Sequence, residues 1–359
     1  METSREEMFM RRCFEIARHG GGHAAPNPMV GAVLVCDGEI IGEGFHAACG
    51  GSHAEVEAVR AVRDPALLSR ATLYVSLEPC CHYGKTPPCT ELILKHHIPK
   101  VVVACSDPNP QVGGKGIRRL REQGCEVVTG VLEAEARELN RRFFTFQEKK
   151  RPYIILKWAQ TLDGFMDVVR DGTEPSSYWI TNEALRYRVH RWRAEEPAIW
   201  VGANTILHDN PQLNVRYASG RQPVRITFFD RMKEDLRRFR FFDNTQLCLL
   251  FHFGEECNEE NLSFCHIPEF ERLPDGTFPP ETLALMLKKL SERNLTSVMV
   301  EGGRRILDSF LAAGLWDEAR VLSGNRCFGR GLEAPQLPQK PDAVELVADN
   351  KILYYRNLH

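Results

Sequence analysis

Three potential metal ligands and one carboxylate, confined to residues 53–89, constrain this chain more than any other feature. They are His53-Ala54-Glu55, then Pro79-Cys80, then Cys89. One histidine and two cysteines form a three-ligand zinc set. Catalytic zinc keeps a fourth position for water, whereas structural zinc closes its shell with four protein ligands. Bound zinc lowers the pKa of its water to about 7. A glutamate two residues after the histidine is not needed as a ligand. On a helix the two positions point apart, which fits a separate acid–base role for Glu55. The competing readings are a structural zinc or a chance cluster of buried thiols, and both leave Glu55 unexplained. The surrounding pattern must place a helix start and a strand-end turn side by side.

Composition narrows the remainder. A length of 359 residues suggests two domains. The hydrophobic content of 43% is ample for ordinary cores, and a net charge of −2 gives no electrostatic footprint for nucleic acid. The short basic clusters, Arg141-Arg142 and Lys149-Lys150-Arg151, read as a helix end and a linker. No apolar run approaches the roughly 20 residues a membrane helix needs. The twelve cysteines follow no signal peptide, so they read as reduced thiols in a cytoplasmic protein. Cys248, Cys257 and Cys265 with His252 and His266 match no standard zinc spacing and read as core or loop groups.

The first part alternates strands and helices, which predicts an α/β layered fold with a mixed sheet. An amphipathic helix carries Phe9, Phe14 and Ile16. Val30–Val35 and Glu39–Gly42 read as a strand pair about a Cys36-Asp37-Gly38 turn. Ser52 is expected to cap a helix from His53, with Val56, Val59 and Val62 on one side. Further strands are expected at Leu73–Leu77 and Val101–Cys105, and a helix near Ile117–Gln123. The polar run Gln147–Pro152 reads as the linker, separating a domain of residues 1–149 from one of residues 152–359.

In the second part, Tyr153–Trp158, Ile199–Val201, Val224–Phe229, Leu247–Phe251 and Ser297–Glu301 read as strands, and Glu183–Ala194 as a helix. Glu301 runs into Gly302-Gly303, after which Ile306, Leu307, Phe310 and Leu311 recur at helical spacing. A glycine turn between strand and helix suits a phosphate, but it also suits a plain corner. There is no G-x-G-x-x-G fingerprint, which argues against a Rossmann domain.

The H-x-E … P-C pattern is that of zinc nucleobase deaminases, except that the second cysteine follows the first by nine positions rather than three. The segment Glu78-Pro79-Cys80-Cys81-His82-Tyr83-Gly84-Lys85-Thr86-Pro87-Pro88-Cys89 resembles one branch of that superfamily, the bifunctional riboflavin-biosynthesis deaminase/reductases. So do Pro26–Gly31, Gly44-Phe45-His46 and Asp107–Val112. The second part resembles the reductase domain of the same family. The matching segments are Lys157–Gly164, Trp179-Ile180-Thr181, Gly202–Thr205, Asp209–Leu213, Arg216 and Glu301-Gly302-Gly303. The stretch 167–176 is longer than the bacterial pattern.

The resemblance implies a cytidine-deaminase-like α/β/α domain with a mixed sheet, followed by a dihydrofolate-reductase-like α/β domain. It implies one Zn²⁺ on His53, Cys80 and Cys89, with Glu55 as the proton carrier. The substrates it implies are small phosphorylated pyrimidines. A diaminopyrimidinone bearing a phosphoribosylamino group would be contacted by Asn27, His46, His82, Lys85, Asp107 and Asn109, although Asp107 and Asn109 equally suit a turn. In the second domain it implies NADPH on Ala159, Trp179, Thr205, Asp209, Gly302, Gly303 and Arg304. Lys157, Ser177, Arg193, Leu213, Arg216 and Glu301 would meet the reductase substrate. A homo-oligomer formed through the reductase domain is left open. A deaminase of cytidine or tRNA adenosine with an unrelated second domain is the alternative, and a tRNA enzyme should show a basic face that this chain lacks.

Overall fold

The computed structural model describes residues 4–83, 87–109, 113–169, 179–230 and 236–357. The chain divides into two compact units between Lys150 and Arg151.

The first unit contains, in chain order, α1 (Arg5–Ala17), β1 (Gly31–Cys36), β2 (Glu39–Phe45), α2 (Ala54–Ala61), β3 (Thr72–Val75), α3 (Cys89–Lys95), β4 (Lys100–Val103), α4 (Lys115–Glu122), β5 (Glu126–Thr129), α5 (Glu133–Leu139) and α6 (Arg141–Lys149). The five strands form one sheet in the order β2-β1-β3-β4-β5. β1 runs antiparallel to β2 and β3, whereas β3, β4 and β5 are mutually parallel. The sheet is therefore mixed, as expected. Alternate residues of its buried strands face opposite layers. Leu34, Leu73, Val101 and Val103 pack with Ala58 of α2, Ile93 of α3 and Leu120 of α4. Val33, Val35 and Val102 pack with Phe9, Met10 and Phe14 of α1 and Phe144 of α6. The Asp37-Gly38 hairpin holds both residues at positive φ (51° and 92°), as the Asp-Gly signal requires.

One local expectation is corrected and another refined. Ser52 does not cap α2. His53 occupies the N-cap position without a side-chain cap bond, while the Ser52 carbonyl is taken by His46. The fully buried residues of α2 are Ala54, Glu55 and Ala58, while Val59 packs partly on the same core and Val62, just past the helix, is buried in it. The cause lies in β2. A Cβ on Gly44 would stand 2.4 Å from the Ala54 carbonyl and 2.3 Å from the Ala58 nitrogen. Helix and strand touch backbone to backbone, which only alanine on one side and glycine on the other allow. That contact fixes His53 and Glu55 at the end of α2.

The expected linker also shortens. Gln147–Lys149 complete α6, and Lys150 closes that helix in the left-handed conformation (φ 54°). Arg151 then belongs to the second unit, where it forms a two-pronged ion pair with Asp317 at 2.5 and 2.9 Å.

The second unit contains β6 (Tyr153–Gln160), β7 (Phe165–Asp167), α7 (Glu183–Glu195), β8 (Ala198–Trp200), α8 (Ala203–Asp209), β9 (Val224–Phe228), β10 (Cys248–His252), β11 (Cys257–Glu259), β12 (Leu262–His266), α9 (Pro280–Glu292), β13 (Ser297–Val300), α10 (Arg304–Ala312), β14 (Glu318–Ser323), β15 (Leu332–Glu333), β16 (Ala343–Val347) and β17 (Asn350–Arg356). Ten of its strands form one sheet in the order β11-β12-β10-β9-β8-β13-β6-β14-β17-β16. The run from β12 to β14 is parallel, with antiparallel strands at both edges. Parallel strands covered on both faces read as continuous apolar runs. Tyr153-Ile154-Ile155-Leu156 and Ser297–Val300 are runs of this kind, each residue buried. Ile154, Leu156 and Trp200 pack under α9 and α10, whereas Ile155 and Met299 pack under α7.

Candidate active site

In the first unit, three elements converge. His53 ends the approach to α2, Cys80 follows β3, and Cys89 opens α3. The Nδ1 atom of His53 lies 3.2 Å from Cys89 Sγ and 3.5 Å from Cys80 Sγ. All three ligand atoms lie within 4.8 Å of one another, and they are the one such His/Cys/carboxylate cluster among the described residues. A tetrahedral zinc with bonds of about 2.0–2.1 Å to nitrogen and about 2.3 Å to sulfur holds its N and S ligands roughly 3.5 Å apart. The donor set and its spacing therefore fit zinc. Cys248 and Cys265, by contrast, are buried on neighbouring strands, where the Cys248 thiol donates to the Phe241 carbonyl.

The three groups act strongly on one another's protonation. Contact with Cys89, and with His53 against the cost of burial, pulls the Cys80 thiol down to about 4. Contact with Cys80, reinforced by burial, pushes Cys89 up. The bond to Cys80 raises His53 despite burial. Glu55 is only 4% exposed. Burial, then the neighbouring Cys80, pushes its carboxyl up. A raised carboxyl beside the ligand set is placed to carry a proton.

Of the other expected contacts, Asn27 and His46 meet at this centre. His46 Nδ1–H donates to the Ser52 carbonyl at 2.9 Å, which leaves Nε2 to accept from the Asn27 amide at 3.1 Å. The His46 and His53 rings meet edge to face at 5.8 Å. Asp107 accepts the Asn109 N–H at 2.8 Å, so the turn reading of that pair holds in the structure. His82 is exposed and close enough to Asp107 to act on its charge. Lys85 lies outside the described residues, as does Ser177 of the second unit.

Two positioning residues escape sequence reasoning. Asn140 clamps Met29 from both sides, accepting its N–H at 2.8 Å and donating to its carbonyl at 2.9 Å, which fixes the loop carrying Asn27. Glu78 gathers backbone N–H groups from the segment after β4. Neither carries a spacing signal, because each acts on main chain far along the sequence.

In the second unit, a cavity of about 1400 Å³ opens at the carboxyl ends of β6, β8 and β13, where parallel sheets place ligands. Single-ligand pockets run to about 300–1,000 Å³, so this one has room for two molecules. Lys157, Ala159, Trp179, Arg193, Thr205, Asp209, Leu213, Arg216, Glu301, Gly302, Gly303 and Arg304 all line it. The structure thus gathers every described reductase residue expected from sequence. Glu301 is the electrostatic centre. Arg193 grips it with two bonds of 2.7 Å, and Lys157 Nζ stands at 3.5 Å. Burial favours the neutral acid, but Arg193 and then Lys157 outweigh it and hold Glu301 at about 2. Burial lowers Lys157, and Glu301 offsets part of that.

His190, one helical turn before Arg193 on α7, also lines the cavity. Its Nδ1 accepts the Arg216 N–H at 3.1 Å. Burial, then the charges of Arg193 and Arg216, push it down to about 4, so it is neutral at pH 7. The i, i+3 spacing with Arg193 is the signal that would have found it. Gly302 and Gly303 sit at φ 130° and 71°, and a Cβ on Gly303 would stand 3.3 Å from Thr205 Oγ1. Gly303 caps α10 with no side-chain bond, so the turn presents backbone to the cavity. Arg304 instead bonds Asp308 and the Glu333 carbonyl.

The family comparisons agree with this division. Residues 3–105 match the cytidine and deoxycytidylate deaminase zinc-binding region, and residues 152–353 match the RibD C-terminal domain. Riboflavin biosynthesis protein RibD of Aquifex aeolicus is 39% identical, over 92% of this chain and 90% of that protein. RibD of Escherichia coli K12 is 34% identical, over 95% of this chain and 94% of its own. The crystal structure of a diaminohydroxyphosphoribosylaminopyrimidine deaminase/5-amino-6-(5-phosphoribosylamino)uracil reductase from Thermotoga maritima superposes with a TM-score of 0.85 at 38% identity, covering 98% of both chains. Fold and site together define a two-domain deaminase/reductase. Within that class the chain belongs to the RibD family, the bifunctional enzymes of riboflavin biosynthesis.

Proposed function

We propose that the first unit hydrolytically deaminates 2,5-diamino-6-(5-phosphoribosylamino)pyrimidin-4(3H)-one. The second unit then uses NADPH to reduce the ribosyl side chain of 5-amino-6-(5-phosphoribosylamino)uracil to ribityl. The observation that carries this reading is the His53–Cys80–Cys89 cluster beside the buried carboxyl of Glu55. Those three residues would hold zinc, which supplies a water activated at neutral pH. Glu55 takes the proton of that water, passes it to the ring nitrogen, and then protonates the amine that leaves as ammonia. The exocyclic C–N bond is exchanged for C–O, and no electrons are transferred. Asn27, oriented by His46, contacts the ring. Asp107, Asn109, His82 and Lys85 are the remaining candidate contacts, with Lys85 suited to the phosphate.

In the second unit, Gly302, Gly303 and Thr205, with Ala159, Trp179, Asp209 and Arg304, would hold NADPH, which would supply a hydride to the sugar C1′ as the C1′–O4′ bond opens and O4′ is protonated. The positive-φ glycines and the cavity size fit such a group. Glu301, fixed by Arg193, orients Lys157 toward the reacting carbon. Arg216, whose backbone is held by His190, suits the sugar phosphate, since guanidinium binds phosphate in two-pronged fashion. Leu213 and Ser177 complete the candidate substrate contacts.

The test is a coupled assay with the diaminopyrimidinone substrate and NADPH. One ammonia should appear, and one NADPH be consumed, for each ribityl product. Ammonia release from cytidine, with none from this substrate, would overturn the reading.

A further inference from the structure

Glu78 precedes the metal loop, and its chemistry is unusual for a loop carboxylate. The residue is only 4% exposed. Its carboxylate accepts four backbone N–H groups. Oε2 takes those of Asp107 at 3.2 Å and Gly114 at 2.9 Å, and Oε1 takes those of Gly116 at 3.0 Å and Ile117 at 3.3 Å. Its own N–H donates to the Cys105 carbonyl at the end of β4. One side chain therefore binds the entry and the exit of the segment that carries Asp107 and Asn109. A Cβ on Gly116 would stand 2.1 Å from the Pro79 carbonyl, so the start of α4 lies directly on the backbone next to Cys80. Within the segment, Asp107 accepts from Asn109 N–H, and Gly113 N–H donates to the Asn109 carbonyl at 2.8 Å.

We infer that Glu78 is a positioning residue for deamination: it ties the Asp107–Asn109 turn, whose side chains are candidate substrate contacts, to the backbone that leads into Cys80. This rests on the deaminase reading above. Four N–H donors converge on two oxygens that only a carboxylate supplies in full. An amide at this position has one acceptor oxygen, and its NH₂ faces two of the four donors. The carboxylate makes no contact with His53, Cys80 or Cys89 that would make it a ligand, so its effect reaches the reaction through the turn.

The experiment compares full-length wild type, Glu78→Gln and Glu78→Asp in steady-state deamination, with zinc content and NADPH-dependent reduction of the deaminated intermediate measured on the same preparations. Glu78→Gln should raise KM at least tenfold with kcat within about threefold, one zinc per chain, and reductase activity intact. Glu78→Asp keeps the charge but retracts it, and should give a smaller KM rise. Amide exchange at Gly114 and Asp107 should quicken in both. KM unchanged in both variants would overturn the inference. So would a loss of zinc and kcat together at constant KM, which would mark Glu78 as a support of the metal loop alone. Absence of deamination in the wild type would instead refute the function and not the positioning.

Discussion

At the scale of single residues, the two sites use burial in opposite ways. Glu55 is buried and its carboxyl raised, which suits a group that must change protonation. Glu301 is equally enclosed but held at about 2 by Arg193 and Lys157, so it stays charged. Glu55→Gln keeps the shape and removes the proton carrier. Deamination should fall by about 10²–10⁴-fold while metal analysis still finds one zinc per chain; near-normal turnover would refute the role. Arg193→Leu leaves Glu301 with Lys157 alone. Breaking a buried pair costs about 3–5 kcal/mol, to be read from denaturant unfolding of the second unit, with reductase activity lost. The sign of the pH effect follows from the depressed Glu301. Its stabilisation is fully present above the unfolded carboxyl pKa of about 4.3 and fades as pH falls from there toward 2. In Arg193→Leu that acid-side slope should shrink. The His53–Cys80–Cys89 cluster was legible in the sequence because a metal set of this kind demands those residue types. Asn140 and Glu78 were not, since they bind backbone, and backbone hydrogen bonding leaves no trace in residue type; His190 left only its i, i+3 spacing from Arg193.

At the scale of elements, the site rests on close approaches. α2 lies on β2 through Ala54 and Ala58 against Gly42 and Gly44. The sequence places Val56, Val59 and Val62 on one side of the helix; Val62 is buried and Val59 packs on the same core, but the closest approach is made by Ala54 and Ala58, because glycine in a strand lets a helix backbone come closer than any side chain permits. Gly44→Ala should therefore act on the metal site at a distance. Overpacking typically costs about 1–3 kcal/mol, and the shift of α2 should weaken zinc retention during dialysis while NADPH binding stays unchanged. Retained zinc and unchanged stability would show that the strand can yield. The Gly302-Gly303 corner was legible as a strand–glycine–helix pattern. Its positive φ values mean that any side chain at Gly303 strains the backbone, so Thr205→Ala is the cleaner probe of the proposed cofactor turn. It should weaken NADPH binding severalfold in a fluorescence titration and leave ammonia release alone.

At the scale of the whole molecule, the division at Lys150/Arg151 separates two sheets with their own cores. Strand order was beyond the sequence, because ladder partners such as β13 with β6 lie more than a hundred residues apart. The two-domain organisation was readable from length, the charged proline-ended seam and the change of motif. The central claim is that one chain carries two independent chemistries, only one of which needs the metal. The most direct test strips the full-length protein with a chelator and supplies, in separate reactions, the diaminopyrimidinone and its deaminated product, each with NADPH. Ammonia release should stop and return with added zinc, while NADPH oxidation with the deaminated product continues at the untreated rate. Undiminished ammonia release from metal-free protein, or loss of both activities together, would contradict it.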